Sequence, residues 1–191
     1  MVLAYAIIIL IILALLLRRD LSALGQISYR GGWITMLLII GLFFLQSALV
    51  IYVSGQTLWQ VVILNVSQLA LVLLFLLNYH VPGAKLFAFG IALNALVMLA
   101  NGGWMPLTPE TYHFVHPDRP VVIQTRPSSS KNILLPRSET KLWILSDIIP
   151  LTLPWRRTAV SIGDIVLVAG VAQLIFQATA KKKDRLLISQ V

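Results

Sequence analysis

The stretch WITMLLIIGLFFLQSALVIYVSGQTLWQVVILNVSQLALVLLFLLNY, residues 33–79, decides the fold class of this chain. It contains no charged side chain, and the turn Ser54–Thr57 divides it into two apolar runs, residues 33–53 and 58–79. A helix needs about 20 mostly apolar residues to cross the hydrocarbon core of a bilayer. Each run therefore predicts one membrane-spanning helix.

Three further apolar runs, residues 2–17, 84–100 and 162–180, flank this stretch. The chain of 191 residues is 58% hydrophobic and only 12% charged, with mean hydropathy +0.87, whereas about 25% of a soluble domain is charged. We therefore predict an all-α integral membrane protein, a single membrane domain of about five transmembrane helices. The first run precedes its arginines and has no small-residue cleavage site after it, so we expect a retained helix rather than a signal peptide.

The positions of the basic residues predict the orientation. If the helices alternate in direction, Arg18, Arg19, Arg30, Lys85 and the segment Lys181–Arg185 all fall on one side. The short turn Ser54–Thr57 on the other side carries no charge. Because cytoplasmic loops are enriched in lysine and arginine, we predict an outer N-terminus and a cytoplasmic C-terminus in the bacterial cytoplasmic (inner) membrane.

The net charge of +8 does not indicate a nucleic-acid partner. The basic residues lie at the ends of apolar runs or in one long loop, so they form no soluble basic face. The basic C-terminal tail, residues 181–191, is expected to contact anionic lipids at about 1 kcal/mol per basic residue, or to act as a stop-transfer signal. The absence of cysteine excludes disulfides, thiol catalysis and cysteine metal sites.

A long outer loop, residues 101–157, interrupts the apolar pattern and holds most of the acidic residues. Thr108-Pro109-Glu110 resembles a helix start, which predicts a short helix from Pro109 to about Val115. Residues 116–137 are rich in Pro, Ser and basic residues, and we expect a flexible strip there. Residues 142–155 are apolar but broken by proline, so this segment should lie on the outer interface or pack across the helix ends.

Two carboxyls are the main candidates for a site. Asp164 follows Ser161 with the spacing of a capping box, which makes it either a helix cap or a site residue. Asp147 lies among Ile and Leu and must find a partner or have a raised pKa. Either a structural ion pair or a reactive carboxylate fits that position. The expected partners of Asp147 are Asn101, Arg156 and Arg157. With Ser161 and Asp164 they form a candidate ligand or partner site at the outer mouth of the bundle.

Polar residues elsewhere in the chain indicate a functional site less strongly than these two carboxyls do. Amides within the runs either hydrogen-bond between helices or line a polar cavity; they are Gln46, Asn65, Gln68, Asn94, Gln173 and Gln177. His113, His116 and Asp118 could form a metal cluster, but the pattern lacks a third strong ligand and a base, so we predict surface histidines and no metal. No cofactor can be named from these residues.

Three motifs occur in order along the chain: Asn-Gly-Gly-Trp-Met-Pro at residues 101–106, Asp-Ile-Ile-Pro at 147–150, and Ser-Ile-Gly-Asp at 161–164. Together they resemble a bacterial family of multi-pass membrane proteins classed as a domain of unknown function. The resemblance covers nearly the whole chain and implies about five helices, but it implies no activity. That family's pattern has glycine before the Asp-Ile motif, where this chain has Ser146.

Few embedded charges and no cofactor motif favour a non-enzymatic role, as an accessory or scaffolding subunit of a membrane complex or as a binder of a small ligand. The alternative is an enzyme acting on a lipid or isoprenoid-type substrate at the outer leaflet. Asp147 and Asp164 would then share acid and base roles, Asn101 would hydrogen-bond substrate, and Arg156 and Arg157 would bind phosphate. A transporter is disfavoured by the odd number of spans and the lack of a mid-membrane charge.

Overall fold

The computed structural model describes residues 2–179. The end of the predicted fifth run and the basic tail, residues 181–191, lie outside this range. The helices are α1 Val2–Leu16, α2 Gly32–Tyr52, α3 Leu58–Leu77, α4 Ala84–Ala100, α5 Pro109–Val115 and α6 Ile162–Ala178. The strands are β1 Met105–Leu107, β2 Asn132–Leu134, β3 Ile149–Leu153 and β4 Arg156–Val160. Short 3-10 turns occupy Leu21–Gln26, Arg137–Glu139 and Trp143–Leu145.

The four strands correct the prediction of an all-α fold. β1 pairs in parallel with β2, and β3 pairs with β4 in an antiparallel hairpin whose register matches Ile149 with Val160. All four lie between residues 101 and 160, which we call the cap region. Prolines in these segments oppose helix formation, so the backbone is satisfied by pairing two strands instead. The prediction of a short helix at Pro109–Val115 is confirmed.

Contacts at the helix ends show that the long helices alternate in direction. Tyr5 near the start of α1 contacts Trp155 of the β3–β4 hairpin, with ring centroids 5.4 Å apart. Arg19, after α1, donates a hydrogen bond to the carbonyl of Thr179 at the end of α6. The backbone amide of Arg30, before α2, donates to the Asn78 side chain after α3. One end of the bundle therefore carries the cap region, and we call the other the far end.

Two helices, α2 and α3, are long and apolar enough to cross a membrane, and α1, α4 and α6 are shorter apolar helices. The chain is thus mostly helical, with two clear candidate spans. The main core lies between α1, α3, α4 and α6, where Phe75 and Phe87 stack with centroids 4.9 Å apart. α2 contributes less to this core, and many of its large apolar side chains are exposed.

Glycines allow α4 and α6 to approach closely. Gly83 has φ +81°, and a Cβ there would overlap the carbonyl oxygen of Gly170. Further along the same contact, a Cβ on Gly163 would overlap the Asn94 side chain and one on Gly90 would crowd the Gly163 carbonyl. Small residues are the usual means by which apolar helices bring their backbones together. This contact fixes the first turn of α6 against the middle of α4.

Arg126 fastens the cap region to the end of α2. Its Nη1 donates to the carbonyls of Val53 and Gly55, both at 2.8 Å, and its Nη2 donates to that of Val50 at 2.8 Å. The guanidinium also lies 4.7 Å from the centre of the Trp104 ring. A cation at a helix C-terminus satisfies carbonyls that have no partner within the helix. Residues 116–137, predicted to be a flexible strip, are thus anchored by Arg126 and contain the whole of β2.

Candidate functional site

A lysine of the cap region lies near both carboxyls that the sequence identifies as site candidates, Asp147 and Asp164. Lys131 lies just before β2, and its Nζ is 3.9 Å from Oδ1 of Asp164. Its charge also acts on Asp147, which is 4% exposed. Burial lowers the pKa of Lys131, but the two carboxylates outweigh burial and leave that pKa above its usual value. Lys131 is therefore a cation at neutral pH that holds the cap region to α6.

Asp164 is held by the start of its own helix and by α4. The Ser161 hydroxyl accepts from the Asp164 amide at 3.0 Å, and the Ser161 amide donates to Asp164 Oδ2 at 3.4 Å. The predicted capping box is confirmed. Asn94 adds a contact from α4: its amide donates to Asp164 Oδ1 at 3.0 Å, while its carbonyl accepts from the Ser161 hydroxyl at 2.8 Å.

Asp147 lies between Ser146 and β3, deep in the cap region. The Asn132 side chain donates to its Oδ2 at 2.7 Å. Its Oδ1 is fully buried and has no hydrogen-bond partner among residues 2–179. Burial raises the pKa of Asp147 against the opposing effects of Lys131 and the Asn132 hydrogen bond. One oxygen of this buried carboxyl is thus hydrogen-bonded to Asn132, and the other has no hydrogen-bond partner among residues 2–179.

Two of the three predicted partners of Asp147, Asn101 and Arg157, make other contacts. Asn101 instead ends α4: its amide donates to the carbonyls of Val97 and Lys141, and its carbonyl accepts from the Lys141 backbone amide. Arg157 lies over the Phe114 ring, 5.4 Å from its centre. The strand pairing of β1 with β2 explains the difference, since it brings Lys131 and Asn132 to Asp147 from a segment distant in sequence.

Asp147, Asp164 and Ser161 therefore belong to one cluster, whereas Asn101 and Arg157 make other contacts. Sequence reasoning missed Lys131, Asn132 and the role of Asn94. The apolar run Ile133–Leu135 was a signal for β2, but the run Val121–Ile123 in the same strip is equally apolar and forms no strand, so this signal does not identify β2 by itself. A segment of that kind is more typical of a strand than of a flexible linker.

A cavity of about 290 Å³ opens beside this cluster, between α5, β4 and the segment before β2. Asp147 and Asn132 line one side of it. Most of the further lining residues come from these three parts, and one comes from β1; they are Leu107, Tyr112, Val115, His116, Arg119, Pro127, Ser128, Ser129, Ser130, Arg156, Thr158 and Ala159.

His116 is the titratable ring at the rim of this cavity. Burial lowers its pKa, and the positive charges of Arg119 and Arg156 lower it further. Its ring centroid lies 5.2 Å from that of Tyr112. His113, one helical turn away, is exposed. Within residues 2–179 no group of three or more His, Asp or Glu side chains is arranged to hold a metal ion.

Comparison with known proteins gives a family but no activity. An uncharacterised protein of Thermotoga maritima is 33% identical over 114 residues, which is 59% of this chain and 62% of that protein. The chain thus spans less than two thirds of the length of this curated relative. No solved structure matches the chain. The sequence model of a family of unknown function, DUF5317, matches residues 26–176. The predicted membership of a family without assigned function is confirmed, and the chain belongs to the DUF5317 family.

Proposed function

We propose that the chain is a five-span protein of the bacterial inner membrane, a single membrane domain with an outer N-terminus and a cytoplasmic C-terminus. α2 supports this proposal: its 21 residues make a helix of about 30 Å, the thickness of the hydrocarbon core. Only 17% of its most apolar window is buried within the protein. An apolar surface of that extent is suited to lipid rather than to water.

Exposed aromatic residues at both ends of the bundle support the same placement. At the cap end these are Tyr52 and Trp59, and at the far end Trp33 and Tyr79. Tyr and Trp are enriched where membrane spans meet the interface. Arg18, Arg19, Arg30 and Lys85 all belong to the far end, which the positive-inside rule assigns to the cytoplasm. The cap region would then face the outside.

This topology predicts the labelling of single cysteines. The chain has no cysteine of its own, so Glu139→Cys and Gln26→Cys each create one thiol at an exposed position, in the cap region and at the far end respectively. In intact bacteria expressing the protein, a membrane-impermeant maleimide should label Glu139→Cys within minutes and leave Gln26→Cys unlabelled. Gln26→Cys should become labelled once the cells are permeabilised. The reverse pattern in intact cells would contradict the proposed orientation.

For the activity, we infer a non-enzymatic membrane protein that binds a small ligand in the cap region. The observation that carries this inference is the cavity of about 290 Å³, which is close to the lower limit of typical ligand pockets. The β1–β2 strand pair and the ion pair between Lys131 and Asp164 hold the residues around the cavity. The shape of the cavity therefore does not depend on a free loop. The contacts of Asp164 join elements of the fold, which favours a structural role for that carboxyl.

A lipid-modifying or isoprenoid-modifying enzyme is the second candidate. The spare, buried Oδ1 of Asp147 favours it, because Asp147 lines the cavity. Burial raises the pKa of Asp147, and this is the direction of shift that a general acid requires. Asp164, locked in its capping box, is less suited to the partner role. A role as an accessory subunit of a membrane complex is the third candidate function.

Native mass spectrometry of gently extracted protein tests the choice among these candidates. We expect a small bound molecule in the wild-type protein and its loss in Ala159→Phe, because Ala159 lines the cavity and the larger ring fills it. Thr152→Phe adds the same ring at an exposed hairpin position and should retain the molecule. Conversion of the bound molecule during incubation would favour the enzyme. A stoichiometric protein partner without any small molecule would favour the accessory subunit.

A further inference from the structure

The wall of the cavity in the cap region contains a carboxyl oxygen whose hydrogen bonding is incomplete. Asp147 lines the cavity and is 4% exposed, and its Oδ1 has no hydrogen-bond partner among residues 2–179. Asn132, whose amide holds the other carboxyl oxygen, lines the cavity as well. A buried polar atom without a partner costs free energy that a suitable partner recovers. A molecule in the cavity can supply that partner.

The two protonation states of Asp147 restrict what this partner can be. The Asn132 amide donates to Oδ2 at 2.7 Å, so a proton on the Asp147 carboxyl would reside on Oδ1. The ionised carboxyl needs a hydrogen-bond donor at Oδ1, whereas the protonated carboxyl needs an acceptor there. A hydroxyl group is both a donor and an acceptor. It therefore satisfies Oδ1 in either state, which an ammonium group cannot do.

The charges near Asp147 also favour an uncharged partner. An ammonium group at Oδ1 would lie close to Lys131, whose positive charge already acts on this carboxyl, and like charges repel one another. An anionic group would be repelled by the Asp147 carboxylate itself. A hydroxyl group meets neither obstacle.

The rest of the lining suits a molecule with several hydroxyl groups. Nδ2 of Asn132 has two hydrogens and makes one hydrogen bond, to Asp147. Thr158 contributes a hydroxyl to the lining. Burial lowers the pKa of His116, so at neutral pH its ring is uncharged and offers one donor and one acceptor. Apolar surface for a carbon skeleton comes from three further side chains, which are Leu107, Tyr112 and Val115.

We propose that this cavity binds a neutral molecule with several hydroxyl groups, a polyol or a single sugar ring, and that one hydroxyl bonds to Asp147 Oδ1. The proposal rests on the proposed function, because it assumes that the cavity is a ligand site. Two sources supply this chemistry: a soluble polyol, or the uncharged sugar headgroup of a glycolipid whose chains remain in the outer leaflet. A volume of about 290 Å³ is small for a ligand pocket, which suits one ring rather than a whole lipid.

Binding to purified full-length protein in an amine-oxide detergent, which has no sugar headgroup, tests the proposal. Methyl glucoside is followed by saturation-transfer NMR, and monoglucosyl diacylglycerol by native mass spectrometry. We expect at least one of these probes to bind, and propylammonium, which brings only a charged donor, to remain unbound. Asp147→Asn should weaken binding by roughly tenfold, because an amide nitrogen in place of Oδ1 can only donate. Thr158→Val removes a hydroxyl of the lining at a half-buried strand position. It should also weaken binding, and it provides the test if Asp147→Asn folds poorly.

The matched control is Asp118→Asn. Asp118 is also an aspartate of the cap region, but it is exposed and does not line the cavity, so the same substitution there should leave binding unchanged. Binding of methyl glucoside identifies a soluble source, and binding of the glycolipid alone identifies a lipid source. Binding of propylammonium, binding of neither sugar probe, or equal binding by wild type and both cavity variants overturns the hydroxyl assignment. If the small molecule lost in Ala159→Phe is still present, the ligand-binding function survives that result; if it is absent too, both fail.

Discussion

Replacing Gly83 with alanine should destabilise the protein by about 2–5 kcal/mol. The left-handed backbone at φ +81° costs an L-residue roughly 1–2 kcal/mol. The new Cβ would also overlap the carbonyl oxygen of Gly170 on α6, which is helix backbone and cannot turn aside. Forcing extra atoms into a packed contact costs about 1–3 kcal/mol more. Thermal unfolding in detergent, followed by intrinsic tryptophan fluorescence, measures the change.

Gly55→Ala is the matched control for this prediction. Gly55 has a similar φ of +89°, but no heavy atom lies within 4 Å of the position that its Cβ would occupy. Gly55→Ala therefore reports the backbone cost alone, and the difference between the two variants reports the contact between α4 and α6. Equal losses of stability in both variants would show that this contact contributes nothing.

Replacing Arg126 with alanine should cost about 2–4 kcal/mol and release the cap region from the end of α2. The change removes donors to the carbonyls of Val50, Val53 and Gly55, together with the 2.6 Å hydrogen bond from Nε to the Ser130 carbonyl. Carbonyls left without partners at a partly buried helix end retain most of their desolvation cost. Hydrogen exchange should then increase in residues 50–57 and 124–134, and the unfolding temperature should fall.

Two further variants test whether the loss of the Arg126 hydrogen bonds causes the predicted loss of stability. Arg126→Lys keeps the charge but cannot reproduce the planar fork of donors, so it should recover only part of the lost stability. Arg137→Ala removes an arginine stacked on Trp143 at the protein surface, a contact of about 0.5–1 kcal/mol at exposed sites. If Arg126→Ala were no more damaging than Arg137→Ala, the clamp on α2 would not contribute to stability.

The sequence predicted local structure better than it predicted contacts. The apolar runs contain the long helices, and the spacing of Ser161 and Asp164 predicted the capping box because the same few residues make and receive its hydrogen bonds. The helix at Pro109–Val115 was predictable for the same reason. In each case the signal and the structure lie within one or two helical turns, so no knowledge of the rest of the chain was needed.

The partners of Asp147 depended on information that local patterns do not contain. Arg156 and Arg157 are close to Asp147 in sequence, which made them natural candidates. The pairing of β1 with β2 instead brings Lys131 and Asn132 to it. A parallel pair of three-residue strands leaves almost no periodic signal, and its register is set by burial of Leu107 and Leu134 in a cluster with Tyr112. The cavity, which lies beside that pair, was unpredictable for the same reason.

The ion pair between Lys131 and Asp164 has a mechanical consequence. Lys131 joins the first turn of α6, and the next residue, Asn132, holds the carboxyl of Asp147 in the cavity wall. A movement of the first turn of α6 would therefore reach the cavity wall through one residue step. Linkage is reciprocal: an occupant that fixes the wall would resist the same movement of α6.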